Sequence, residues 1–145
     1  MDTHNKEANV AFLFPSDEWV QELVEKINAS EPYAKAAANW EGDFYFIVLP
    51  GAGVPEQVVM YLDLWHGKAR SGRQVADESE ESPEFSIWAP IGTWQRVIDR
   101  KLDPIQGLIT GQLKLKGTLS KIMRAPKAAA ELVNCATQVP TEFPS

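Results

Sequence analysis

The sequence predicts an α+β domain: one mainly antiparallel sheet covered by helices. Three observations carry that prediction. Apolar residues recur with helical spacing towards both ends of the chain, they switch to strand-like runs between Phe44 and Ala89, and each of those runs closes on proline or glycine. The 145 residues suit one domain, and 44% hydrophobic with 23% charged residues is the balance of a chain that folds without disulfides or a structural metal.

Residues 1–14 read as a flexible lead, 15–139 as the folded domain and 140–145 as a tail. Ser16 is an N-cap residue, followed by Asp17 and Glu18 where the helix dipole favours negative charge. Trp19, Val20, Leu23, Val24 and Ile27 then form one stripe and Gln21, Glu22, Glu25 and Lys26 the other, which predicts an amphipathic helix. Ser30-Glu31-Pro32 opens a second helix, expected to run through Ala36–Ala38 to Trp40 and to end near Gly42.

The period then changes. Phe44–Leu49 and Val58–Trp65 are aromatic and β-branched runs joined by the turn at Pro50 to Pro55, so an antiparallel pair is expected. In the second run Met60, Leu62 and Leu64 share the better core face, opposite Tyr61, Asp63 and Trp65. Residues 66–83 carry the weakest pattern. A structureless loop of that length would be unusual, so a short strand near Lys68–Val75 is expected, with the acidic stretch Asp77–Glu81 exposed. Phe85, Ile87 and Ala89 alternate with Glu84, Ser86 and Trp88 in a further strand that Pro90 ends.

Helical spacing returns from Thr93, with Trp94, Val97 and Ile98 opposite Gln95, Arg96 and Asp99. Asp103-Pro104 opens a short helix whose apolar side is Ile105, Leu108 and Ile109 and whose stop is Gly111. Leu113 and Leu115 alternate with Gln112, Lys114 and Lys116 in a last strand closed by Gly117. Helical residues 118–124, a break at Pro126 and a helix to about Val139 follow.

Composition narrows the function. A net charge of −6 argues against a general nucleic-acid binder. The charge is polarised: residues 1–91 hold 6 Lys/Arg against 16 Asp/Glu, and residues 92–145 hold 8 against 4. A basic C-terminal part of this kind suits transient contact with an anionic membrane surface, or simply a solvated face. The single cysteine, Cys135, permits no internal disulfide and fits a reducing cytoplasm. No apolar run approaches the roughly 18–20 residues that span a bilayer. The segment Met1–Ala11 has no signal-peptide core, and Thr141–Ser145 is no peroxisomal address. A soluble, cytoplasmic protein is expected.

Catalytic patterns are missing. His4, His66 and Cys135 fall short of the usual zinc ligand count, and no nucleophile elbow, P-loop or dinucleotide fingerprint occurs. Asp43 and Asp63 could face each other on adjacent strands, where a solvent-facing or salt-bridged pair is the simplest reading. Cys135 falls in a helix with no histidine near it in sequence and reads as inert. No enzyme activity, cofactor or metal is expected.

The segment from Phe85 to Met123 resembles the C-terminal half of the sterol carrier protein-2 (SCP2) domain. The features are Trp94 at a helix start, the turn Lys101-Leu102-Asp103-Pro104, the strand Gly111-Gln112-Leu113-Lys114-Leu115-Lys116-Gly117 and an apolar helix after it. Ile27-Asn28, Trp40-Glu41-Gly42 and Tyr61-Leu62-Asp63-Leu64 are similar to prokaryotic members, so the likeness spans roughly residues 15–133. Pro83-Glu84 in place of the usual Ala-Asp, and a more basic last helix broken at Pro126, depart from the family pattern.

The resemblance implies a five-stranded sheet with helices over one face, enclosing an apolar tunnel for a fatty acid, acyl-CoA, phospholipid or sterol. Family members have no catalytic residues of their own. The side chains expected to line the tunnel are Trp94, Val97, Ile98, Ile105, Leu108, Ile109, Leu113, Leu115, Leu119, Ile122 and Met123, with Leu132 and Val133 as a lid. Met123 suits an adaptable wall. Lys121, Arg124 and Lys127 beside that lid are expected to meet a lipid headgroup. The competing expectation is a regulatory or protein-interaction module on the same fold, in which Trp65, Trp88 and the acidic loop would matter.

Overall fold

The computed structural model describes residues 10–144. The first nine residues of the expected lead, His4 among them, and Ser145 of the expected tail lie outside the described residues. Strand β1 (Phe12–Leu13) precedes helices α1 (Asp17–Asn28) and α2 (Glu31–Ala36). Strands β2 (Glu41–Leu49), β3 (Val58–Trp65), β4 (Lys68–Val75) and β5 (Phe85–Pro90) follow, then α3 (Ile91–Ile98) and α4 (Pro104–Thr110). Strand β6 (Lys114–Lys116), helices α5 (Leu119–Met123) and α6 (Pro126–Thr137), and strand β7 (Thr141–Glu142) complete the order.

Local chemistry sets the helix starts. Ser16 Oγ accepts from Trp19 N at 3.1 Å, Ser30 Oγ from Tyr33 N at 3.1 Å, and Asp103 Oδ2 from Gln106 N at 3.0 Å. Helix α4 stops at Gly111, whose φ of 79° is the left-handed conformation glycine adopts without strain. Helix α2 is shorter than its sequence suggests. It ends at Ala36 because Trp40 turns into the sheet, where its indole stacks on Phe44 and Phe85 and its Nε1 donates to Gly42 O.

The five-stranded sheet has the order β4-β3-β2-β5-β6. Three of its pairings are antiparallel, whereas β2 and β5 run parallel at its centre. That parallel pairing constrains the connection: the chain leaving β4 must return to the opposite end of the sheet before β5 can start. The acidic segment 76–84 makes this return across the face away from the helices. Tyr45 anchors it there, its hydroxyl lying 3.1 and 3.0 Å from Glu78 O and Glu81 O and accepting from Glu81 N at 2.8 Å. Beneath lies a small second core of Tyr45, Ile47, Val59, Tyr61 and Val75. Asp77 to Glu80 are exposed as expected, while Glu81 is half-buried.

The helices cover the other face, where Phe44, Val48, Met60, Leu62, Leu64, Phe85, Ile87 and Ala89 point into the main core. Helix α1 lies so close to β4 that a Cβ on Gly72 would stand 2.6 Å from Val24. Helix α6 packs against α1, α2, α3, α4 and α5, so it ties the whole helical layer together.

The lead and the tail are structured where they meet. β1 and β7 form a parallel two-stranded sheet, with Phe12 N donating to Pro140 O at 2.8 Å and Phe14 N to Glu142 O at 2.9 Å. Phe14, placed in the lead by its sequence, is 2% exposed. It packs edge-on against Trp19 and Phe143. No helix among the described residues is long and apolar enough to cross a membrane.

Candidate functional site

An apolar cavity of about 90 Å³ lies between the sheet and the helices. Trp19, Val20 and Leu23 of α1 form one wall; Trp94, Val97 and Ile98 of α3 form another. Phe46 and Met60 rise from β2 and β3 as its floor, Leu132, Val133 and Ala136 of α6 close it above, and Phe14 completes the wall. Both indoles direct their polar atoms elsewhere. Trp94 Nε1 donates to Ile47 O at 3.0 Å and Trp19 Nε1 to Thr141 Oγ1 at 2.9 Å, so only carbon faces the space. A second apolar cavity of about 40 Å³ is bounded by Tyr33, Trp40, Leu64, Ile122, Ala125, Ala128, Ala129 and Leu132.

Larger hollows lie outside the helical layer, and charged side chains share their walls with apolar ones such as Ile47, Leu49 and Trp88. One of about 520 Å³ on the outer sheet face is lined in part by Glu78, Glu81 and Lys116. Another of about 340 Å³ holds Asp43 and Asp63, which stand opposite each other in register. Both carboxylates are satisfied: Tyr61 Oη and Glu84 N donate to Asp43 at 2.7 and 2.8 Å, and Arg70 forks onto Asp63 at 3.0 and 3.2 Å. Burial pushes the hydroxyls of Tyr33, Tyr45 and Tyr61 above their ordinary pKa, and pushes the Cys135 thiol up as well. Cys135 is 1% exposed, and a protonated, enclosed thiol is a poor nucleophile. No cluster of three or more potential metal-ligating side chains occurs among the described residues.

The model of the SCP-2 sterol transfer family matches residues 11–129. The chain belongs to this family. Solved SCP-2 structures agree. A crystal structure of sterol carrier protein 2 is 40% identical with a TM-score of 0.78, over 86% of this chain and 97% of its own. The solution structure of a conserved hypothetical protein from Thermus thermophilus is 38% identical with a TM-score of 0.78, over 86% and 88%. Palmitated SCP2L2 from Aedes aegypti, at 16% identity and a TM-score of 0.50 over 76% and 93%, shares the fold alone. No curated protein matches the chain. The SCP-2 match stops inside α6, so Leu132, Val133, Ala136 and β7 lie beyond it.

Of the side chains expected to line an SCP-2 tunnel, Trp94, Val97, Ile98, Leu132 and Val133 meet around the first cavity, and Ile122 joins Leu132 at the second. Ile105, Leu108 and Leu115 pack on the core from its edge, and Leu113, 2% exposed, fills the space against Gly107. These four and the half-buried Leu119 line neither cavity. Ile109 and Met123 face outward, 51% and 44% exposed, because α4 and α5 are short helices that bury only one side. The methionine in the wall is Met60 instead. Lys121 is also displaced from its expected role. Its Nζ binds Glu84 at 2.9 Å and Glu41 O at 2.6 Å and lies over the Trp40 ring, so its charge is already paired. Arg124 and Lys127 are exposed beside the second cavity's Ala125 and Ala128.

Proposed function

We propose that this protein binds a single hydrophobic lipid and carries it, without catalysing a reaction on it, in the apolar space between its sheet and its helical layer. The observation that supports this reading is the first cavity, whose walls are hydrophobic side chains from α1, α3, α6, β2 and β3 with the indole N–H groups turned away. Such a space shields an acyl chain from water at about 0.8 kcal/mol per buried methylene. It gives nothing to a charged substrate. Its 90 Å³ is below the roughly 300–1,000 Å³ of typical ligand sites, so loading requires the helical layer to lift. Helix α6 is the element to move, since half-buried Leu132 and Val133 form its side of the cavity.

The cations Arg124 and Lys127, together with outward-facing Ile109 and Met123, suit a transient contact with an anionic membrane where lipid is taken up or released. Fatty acid is the first ligand class to test, because palmitate is named with the Aedes aegypti neighbour. Native mass spectrometry of freshly purified protein, followed by solvent extraction, decides the matter. A stoichiometric fatty acid, acyl-CoA, phospholipid or sterol supports carriage. An apo mass that stays unchanged on adding palmitate and phospholipid sinks it and favours an interaction module.

A further inference from the structure

Leu132 is the one residue common to the walls of both apolar cavities. Phe14 borders only the larger chamber, and Tyr33 and Trp40 border only the smaller. One turn away on either side along α6 are Ala128 and Ala136, and Ala125 and Ala129 line the smaller chamber too. A half-buried leucine therefore stands among alanines of α6 and borders both chambers, of about 90 and 40 Å³.

We propose that the two chambers are halves of one acyl channel and that Leu132 is its gate, setting how long a chain the protein holds. This rests on the lipid-carrier reading above. The floor of the channel is fixed, because Phe46, Met60 and Leu64 belong to paired strands at the centre of the sheet. Leu132 can change rotamer, and the neighbouring alanines leave room for it to do so. Once the helical layer has lifted, a slender, unbranched chain passes from one chamber to the other when that one side chain turns aside. A rigid fused-ring ligand would have to displace the strand-borne floor as well, so the geometry favours acyl chains over sterols. Arg124 and Lys127, which make no ion pair among the described residues, flank the smaller chamber in sequence and mark the end for the carboxylate.

The test is a series of saturated fatty acids, laurate to stearate, titrated into the full chain, with cholesterol as a comparison. Each additional buried methylene is worth about fourfold in affinity. Leu132→Ala should raise the affinity for stearate relative to laurate at least tenfold, and Leu132→Trp should reverse that preference. Leu132→Met, which conserves volume, should leave it unchanged. Thermal melts establish that each variant is folded, and because the first two act in opposite directions either one alone reads the gate. Wild-type binding with the same rank order in the folded variants overturns the gate and leaves carriage intact. Wild-type binding of none of these ligands overturns both. Cholesterol bound more tightly than palmitate overturns the assignment to acyl chains.

Discussion

At the scale of single residues, the cavity is defined by what small side chains leave empty and what large ones keep dry. Ala136 lines the larger chamber and is 9% exposed, so a bulkier residue there grows into space rather than into solvent. Ala136→Phe should therefore fill the chamber and weaken palmitate binding at least tenfold, while the melting temperature holds or rises. A calorimetric titration beside a thermal melt checks both halves. Unchanged palmitate affinity in a folded Ala136→Phe variant would place the ligand elsewhere. The residues found from sequence and those that were missed differ in kind. Trp94, Val97 and Ile98 announce themselves by helical period on a helix whose other side is polar. Phe46 sits in a strand that is apolar on both faces, where period alone cannot say which face meets a cavity. The alternation that puts Met60 on the core face cannot tell it from Leu62 and Leu64 as a residue of the larger cavity. Met123 shows the converse: its apolar character says nothing of which side of a five-residue helix is buried.

At the scale of elements, the strands and helices were legible wherever caps and alternation agree. The start of α1 follows from Ser16, that of α4 from Asp103, and the strand β5 from its alternation. The pairing of β1 with β7 was not legible. Each is two residues long, and their contact joins positions more than 120 apart in sequence, which no local pattern encodes. The second core was hidden for the same reason, since the return of segment 76–84 across the sheet is a consequence of topology. The strap formed by β7 has an energetic role behind the cavity wall, where Thr141 Oγ1 accepts from Trp19 Nε1 and Phe143 lies against Phe14. Ending the chain after Val139 should lower stability by about 1–3 kcal/mol, because a buried indole donor and two strand bonds lose their partners. Urea unfolding measures that loss, and Trp19 should report it as a red-shifted fluorescence. Thr141→Val should reproduce about half of the effect, and no change in either variant would make the strap incidental.

At the scale of the whole molecule, two kinds of charge act. The first is latent. All three tyrosines are buried, and burial is the largest cause holding each hydroxyl above its ordinary pKa. In the unfolded chain they ionise near pH 10, whereas in the folded chain they keep their protons beyond it. Up to about pH 10 the two states bind equal numbers of these protons and stability is flat in this respect; above it the unfolded state binds fewer, so stability falls as pH rises. Tyr33→Phe should flatten that alkaline limb, seen as a smaller drop in urea midpoint between roughly pH 8 and pH 11. An equally steep limb in the variant would assign the loss to other groups.

The second kind is the permanent polarity of the chain, acidic up to residue 91 and basic after it. The net charge of −6 keeps the protein off anionic membranes in most orientations, so an approach needs exposed cations such as Arg124 and Lys127, which flank the smaller cavity's Ala125 and Ala128 near exposed Met123. Two or three cations hold a protein on such a surface only weakly and only within a Debye length of about 8–10 Å, which suits a carrier that must leave again. Co-sedimentation with vesicles rich in phosphatidylserine should therefore exceed that with phosphatidylcholine and fade as salt is raised. Arg124→Glu combined with Lys127→Glu should reduce it about tenfold, and palmitate affinity in solution should fall as well, because the same two cations meet the carboxylate. Equal binding to both vesicle types, or a double variant that sediments like the wild type, would remove the membrane from this end of the molecule and leave the cations to the ligand alone.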